Sequence, residues 1–479
     1  MKKVLVALLL IFFIPVLLYF HCFPEPAVVN PQETLFKELA NHRVVMLADF
    51  AHSSAYPYHT LTGFLQYWLE KAEQIGGSIR NLTLVLEMDE ESQAAKEKFI
   101  HTGNLEPYLI LFPDSSLETI EYLFELRDIF KKITVKNKKL PASKKLSFEI
   151  LGAEDIAGNR KAFFTMSRDD GYRWFVKKRD KLSAKRVIEY AKKHQDRKLL
   201  IFYGGAHLSS TFCRKDQTLA FPHIDSWGYY LAYYLKNKLG SAKVKTINQE
   251  CQGFIGNPGL DIYVRRDRKK IPPGRALLFS IPPFAATFFR RLIGAPTVDA
   301  TFVLPEKVIS PHFLQQLYCT KNFKRLIQKA LVLQPHILKG WLANRRFQKI
   351  MSGLKFISGQ SFNSPEEYQT WLETTNFDAS AYLNIERVRQ LIHNSKTDRS
   401  LRYLLCKTMG ERPWILKKGN EEKILHKLQI LSSLARALVG SGKEQKSAGL
   451  FLCKEFGFSP ENPVQFIKHW RQKKYGLTH

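Results

Sequence analysis

Four short apolar runs in this chain of 479 residues stop abruptly at acids or histidines. VVMLAD ends at Asp49, and His52 follows three residues later. LTLVLEM ends at Glu87, with Asp89 beyond it. FEILGAE ends at Glu154 and Asp155, and KLLIFYGG runs into Ala206 and His207. Carboxylates mixed with imidazoles suit two kinds of chemistry. In general acid–base catalysis, crowding raises one carboxylate toward neutrality while His is already poised there. The same donors bind a divalent metal, as in hydrolytic metal sites. One such ending is unremarkable, because an Asp after a strand is by default a helix cap. Four of them give a rim of chemistry-bearing groups. Gly204 and Gly205 let the chain turn tightly and approach a ligand, which puts His207 on that rim.

The elements that must position these residues alternate between residues 33 and 265. Apolar runs rich in β-branched residues, the fifth being KVKTI (243–247), are separated by helical stretches. In GFLQYWLEKAEQIG, Leu65, Trp68, Leu69, Ala72 and Ile75 recur every three or four residues and make one apolar face. SRDDGYRWFVKKRDKLSAKRVIEYAKKH opens with Ser167 as N-cap and Asp170 at N3. Strand and helix in alternation predict an α/β fold with a mostly parallel sheet flanked by helices, and ligands bind beyond the carboxyl ends of such strands. LDIYVRR (260–266) reads as an edge strand. Two Pro-Pro pairs make 266–305 a Pro-rich connection. From 306 to 479 strand signals fade and an all-α C-terminal domain is expected, with Ser-Pro-Glu helix starts at 364 and 459.

At the N-terminus two lysines precede a 17-residue apolar run, Val4 to Phe20. That is near the lower limit for a spanning helix and long for a signal-peptide core, so 1–23 reads as a signal or anchor segment. Without a small-residue cleavage site, an uncleaved anchor is the reading adopted. The lysines place the body outside the cytoplasm, exported and membrane-anchored on the periplasmic or extracellular side. Lys plus Arg number 73 against 44 acids, a net charge of +29. A tethered basic body lies close to anionic headgroups, so a membrane surface explains the charge. Zinc-finger spacing, RNP-type motifs and basic-region heptads are absent, which argues against specific nucleic-acid recognition. None of the six cysteines forms a C-x-x-C pair. Nor does the sequence contain H-E-x-x-H, G-x-S-x-G or a P-loop.

The order D-x-x-H after a strand, a strand ending in Glu, R-D near a helix start, then G-G-A-H resembles the superfamily of haem-binding-uptake (ChaN-like), erythromycin-esterase-like and Tiki/TraB proteins. The matching residues are Asp49 and His52, Glu87, Arg168 and Asp169, and Gly204 with His207. His59 resembles the second histidine of ChaN-like members. The likeness covers 40–265. Asp49 stands where Glu is usual and Ala48 replaces the preceding Gly, so this carboxylate reaches about one methylene less far. The resemblance implies a small-molecule ligand and one of three functions. The first is an envelope protein binding haem, with Tyr56, Tyr58 or His59 toward the iron. The second is a hydrolase, an esterase or metal-dependent peptidase. There Glu87 or Asp49 acts as base, His52 and His207 shuttle protons or hold a metal, and Arg168, the neighbour of Asp169 in the motif, stabilises an oxyanion. The third is a non-catalytic membrane-associated scaffold whose helical end binds lipid or a partner. Haem and a divalent metal are both left open as cofactors.

Overall fold

The computed structural model describes residues 27–49, 55–75, 77–111, 117–155, 164–174, 178–208, 230–251, 274–280, 298–304, 320–375, 383–409, 413–439 and 442–456, with a few short pieces between them. The segment 1–23, the 260–266 run and the Ser-Pro-Glu start at 459 lie outside these. Among the described residues no helix is long and apolar enough to cross a membrane.

Ten strands are described: β1 (Ala27–Val29), β2 (Val44–Asp49), β3 (Asn81–Leu86), β4 (Ser147–Gly152), β5 (Lys198–Gly204), β6 (Cys213–Arg214), β7 (Trp227–Gly228), β8 (Val244–Cys251), β9 (Ala276–Ser280) and β10 (Ala300–Leu304). Eight form one sheet in the order β1-β9-β10-β8-β2-β5-β3-β4, and β6 and β7 pair separately. Every pairing from β10 to β4 is parallel, while β9 is antiparallel to both neighbours. The five apolar runs are strands β2, β3, β4, β5 and β8. β9 and β10 correct the Pro-rich reading of 266–305. The Pro-Pro pairs flank ALLFS instead of interrupting it, so its N–H groups are free to join the ladder.

Helices α1 (Pro31–Asn41), α2 (Ala55–Ile75), α3 (Glu90–Thr102), α4 (Glu106–Leu111), α5 (Leu117–Asn137), α6 (Arg168–Trp174), α7 (Asp180–Lys193) and α8 (Leu231–Leu239) accompany the strands. The sheet is covered on both faces, and strand alternation sorts residues between them. Val45, Leu47, Leu84, Leu86 and Phe202 pack with Phe64, Leu65 and Trp68 of α2, Phe99 of α3 and Leu123 of α5. Val44, Met46, Ala48, Val85 and Tyr203 pack with Ala184, Val187 and Ala191 of α7 and Leu231 of α8. The predicted face of α2 is buried at Leu65, Trp68, Leu69 and Ala72, and the Trp68 indole donates to the Ile79 carbonyl at 2.6 Å.

Beyond the sheet follow α9 (Thr320–Leu333), α10 (Trp341–Ser358), α11 (Pro365–Thr374), α12 (Ile385–Asn394), α13 (Arg399–Met409), α14 (Glu421–Val439) and α15 (Gly442–Phe456). They enclose their own core, including Phe323, Phe356, Tyr368 and Leu405. Ser364 caps α11 by accepting from the Glu367 N–H, with Pro365 in its first turn, as its sequence predicts. α14 touches both cores: Ile424 and Leu428 join the helical one, Leu431 and Leu434 the α2 side of the sheet. Arg325 and Lys321 also grip Glu106 of α4, at 2.8 and 3.3 Å.

One glycine holds the turn that carries Glu87. A Cβ on Gly152, at the end of β4, would lie 2.7 Å from the Met88 carbonyl oxygen and 2.9 Å from that of Asp89. Both are backbone atoms and cannot swing away. Gly152→Ala is expected to destabilise by ~1–3 kcal/mol, the usual cost of overpacking, read as a lowered urea midpoint. An unchanged midpoint would mean that the turn yields freely.

Candidate functional site

The four strand endings divide into caps and a site. Asp89 is a cap: its Oδ1 accepts from the Ser92 N–H at 2.8 Å and the Ser92 hydroxyl at 2.7 Å, closing the first turn of α3. Asp155 likewise accepts from the Gly158 N–H at 3.1 Å. Glu87, Glu154 and His207 instead come together at the carboxyl edge of β3, β4 and β5, on the α7 side of the sheet.

His207 lies in the short turn Gly205–Leu208 that continues β5. Its Nδ1 is 2.7 Å from Asp180 Oδ1, and its Nε2 is 3.6 Å from Glu87 Oε1, beyond hydrogen-bond reach. Asp180 is the first residue of α7, where a carboxylate also meets the positive end of the helix. Its second oxygen accepts from the Leu231 N–H at 3.1 Å, tying the site to the start of α8. Arg179, the residue before α7, bridges two strand ends. Its Nη2 donates to Glu87 Oε1 at 2.6 Å and its Nε to Glu154 Oε2 at 2.7 Å. Glu87 Oε2 accepts from the Gly204 N–H at 2.8 Å, so both its oxygens are engaged. Tyr203 donates to Glu154 at 3.3 Å and presents its ring edge-on to His207.

Three carboxylates therefore face two cations in a largely dry site. Burial alone would push the Glu87 carboxyl up, but the imidazole of His207, then Arg179 and the Gly204 N–H, hold it well below the usual carboxylate range. Burial pulls His207 down, yet Asp180 and Glu87 outweigh it and lift the imidazole to about 10. At neutral pH His207 is an imidazolium, with Nδ1–H locked on Asp180 and Nε2–H directed toward Glu87 without a short acceptor. Burial, then Glu154 and Glu87, drive the Tyr203 phenol well above its ordinary value and keep it a neutral donor.

Of the sequence candidates, the structure brings Glu87 and His207 together. Asp49 ends β2 opposite Gly204 in the ladder, next to the site by backbone position. Its side chain, His52, and the side chains of Tyr56 and Arg168 lie outside the described residues. Asp169 is half-buried in the first turn of α6, behind the Ser167–Asp170 capping pair. The Arg-Asp step that meets Glu87 and His207 is Arg179–Asp180, eleven residues after Arg168–Asp169. Reading 167–194 as one helix hid it. Among the described residues α6 ends at Trp174 and α7 begins at Asp180, with Arg179 just before it at the rim. Tyr58 and His59 lie in the first turns of α2, both half-buried. The Tyr58 ring contacts Tyr122 and Phe202 on the opposite face of the sheet from His207. Among the described residues no group of three His, Cys, Asp or Glu is arranged to hold a metal.

A mostly parallel α/β sheet with a carboxylate–imidazole cluster at its carboxyl edge is the class that fold and site define. No family model matches the chain, and no curated protein matches it. Solved structures do. An erythromycin esterase variant in its open conformation is 11% identical, covering 58% of this chain and 94% of its own, with a TM-score of 0.34. A succinoglycan biosynthesis protein is 13% identical over 58% of this chain and 91% of its own, at 0.35. Haem-bound ChaN of Campylobacter jejuni is 10% identical over 50% and 94%, at 0.24. The erythromycin esterase and ChaN bear the names of groups that the motif order resembles; at such identities and scores they assign no role to any residue here.

Proposed function

We propose that the carboxyl rim is an acid–base site that hydrolyses a small ester-type ligand, with His207 as proton donor. One observation carries this reading: His207 is fixed through Nδ1 by a buried Asp180, while its Nε2–H points into the rim with no acceptor among the described residues closer than 3.6 Å. Such a group donates to a developing oxyanion or leaving alkoxide. Asp180 acts as the positioning partner that sets tautomer and orientation. Glu87, already committed to Arg179 and the Gly204 N–H, is a weak base, so activation of water falls to Asp49, the last residue of β2, with His52 three residues on in sequence. The apolar run after Lys3 and the +29 charge support a body tethered at an anionic membrane face outside the cytoplasm.

A second reading, haem binding at the envelope, draws on a different observation. Tyr58 and His59 are half-buried at the start of α2, and Tyr58 belongs to an aromatic wall with Tyr122 and Phe202. A porphyrin face stacks on such a wall, and the phenol or imidazole would hold its iron.

Two titrations of the wild-type chain separate the readings. Saturable turnover of 4-nitrophenyl esters with no Soret shift on adding haemin is the expected result. A Soret shift saturating at one equivalent and lost in Tyr58→Phe, without ester turnover, would replace the hydrolase by the haem reading.

A further inference from the structure

A second group of titratable side chains lies on the other face of the sheet. Lys96 of α3 is only 7% exposed, and its Nζ lies 5.3 Å from the ring centre of Tyr122 and 5.8 Å from that of Tyr108. Tyr122, on α5, is 3% exposed, and its buried hydroxyl has no hydrogen-bond partner among the described residues. Tyr108 stands on α4, and the Tyr58 ring of α2 packs 5.5 Å from Tyr122. The other titratable groups around Lys96 include Glu121, Glu125 (both buried), Arg127 and Asp128 of α5, Glu90, Glu91, Glu97, Lys98 and His101 of α3, Glu106 of α4, and Tyr58 and His59 of α2. Among the described residues Lys96 forms no ion pair with any of them.

Buried donors without acceptors are costly, and a buried ammonium without a counter-ion more so. The Lys96 amine over the Tyr122 ring and the buried Tyr122 hydroxyl, each without an acceptor among the described residues, share one deficit, an acceptor bearing negative charge. Two rings beneath the amine recover part of the lost solvation but offer no lone pair. A carboxylate brings the one negative charge that the amine matches and can be carried on an apolar body that suits the rings, which inorganic phosphate lacks.

We propose that Lys96 and Tyr122, walled by Tyr108 and Tyr58, form a buried subsite for a carboxylate carried on an aromatic or aliphatic body, on the face of the sheet opposite His207. The carboxylate accepts from the ammonium and from the Tyr122 hydroxyl, and the rings cover the rest of the ligand. Empty, the site holds its amine at about 7 through burial. Occupied, it holds an ammonium. Binding is therefore coupled to proton uptake, and affinity is flat below neutrality and weakens about tenfold per pH unit above it.

The test uses the full chain with benzoate as probe and benzyl alcohol and inorganic phosphate as controls, read as saturable shifts in Tm. At pH 6 benzoate is expected to stabilise saturably, benzyl alcohol and phosphate not at all. At pH 8.5 the apparent Kd rises more than tenfold. Lys96→Met abolishes the shift while keeping the wild-type Tm or raising it, since an unpaired buried amine is removed. Tyr122→Phe weakens binding several-fold. No saturable benzoate shift at pH 6, an equal Kd at both pH values, an equal response to phosphate, or a shift that survives Lys96→Met each overturns the proposal. Should Lys96→Met fail to fold, the wild-type comparison at two pH values decides alone.

Discussion

His207→Gln lowers kcat/KM for a 4-nitrophenyl ester by ~10²–10⁴, the usual contribution of a positioned acid–base group. Glutamine keeps much of the shape and can still donate to Asp180, so the turn Gly205–Leu208 is expected to stay in place. What it loses is the charge and the transferable proton. The folded chain holds that proton firmly, because Asp180 at 2.7 Å and Glu87 at 3.6 Å flank the ring. Asp180→Asn should lower kcat more than it raises KM, since it disturbs the ring's orientation and charge without touching the ligand. Parallel unfolding curves for the two variants and the wild type check that the loss is chemical. Equal turnover in His207→Gln would remove this residue from the reaction.

Arg179→Met is expected to cost ~3–5 kcal/mol of stability, the largest effect on folding among the site residues. The guanidinium serves Glu87 and Glu154 at once, and the Glu154 side chain is 3% exposed. Methionine fills the space of the alkyl stem but removes the cation from a buried carboxylate, which the Tyr203 and Ser183 hydroxyls meet at 3.3 and 3.4 Å without neutralising it. Denaturant unfolding at pH 7 measures the loss. A variant as stable as wild type would show that water already screens the pair.

Much of the sheet was legible from sequence because its parallel strands are covered on both faces and so read as continuous apolar runs. VVMLAD coincides with β2, residue for residue. β8 was half seen: KVKTI is apolar enough, but its continuation NQEC is buried polar strand and carries no hydrophobic signal. β9 and β10 were masked by the prolines around them. In the site, Glu87 and His207 were legible because each ends an apolar run at the edge where a parallel sheet binds ligands. Arg179 and Asp180 were not, since both sit inside a long run of helix-forming residues with no apolar strand ending beside them. Lys96 was invisible for a similar reason: lysine on an amphipathic helix reads as solvent-facing, and only the tertiary packing of α4 and α5 encloses it.

The ionisation of His207 has consequences for stability with a definite sign. Its folded pKa is raised, so its contribution is fully present below the unfolded value of about 6.5 and is lost as pH rises toward about 10. Glu87 is depressed, so its contribution is present above about 4.5 and is lost as pH falls below that. Stability should therefore be greatest between these limits, near pH 5 to 6.

The most direct test of the acid–base site is a ¹⁵N NMR titration of the His207 imidazole, assigned by its loss in His207→Gln. An imidazolium that persists through neutral pH and titrates near 10, with Nδ1–H shifted by its bond to Asp180, is the predicted result. A ring that titrates near 6.5 would mean that Asp180 and Glu87 do not hold the proton, and it would remove His207 as the proton donor.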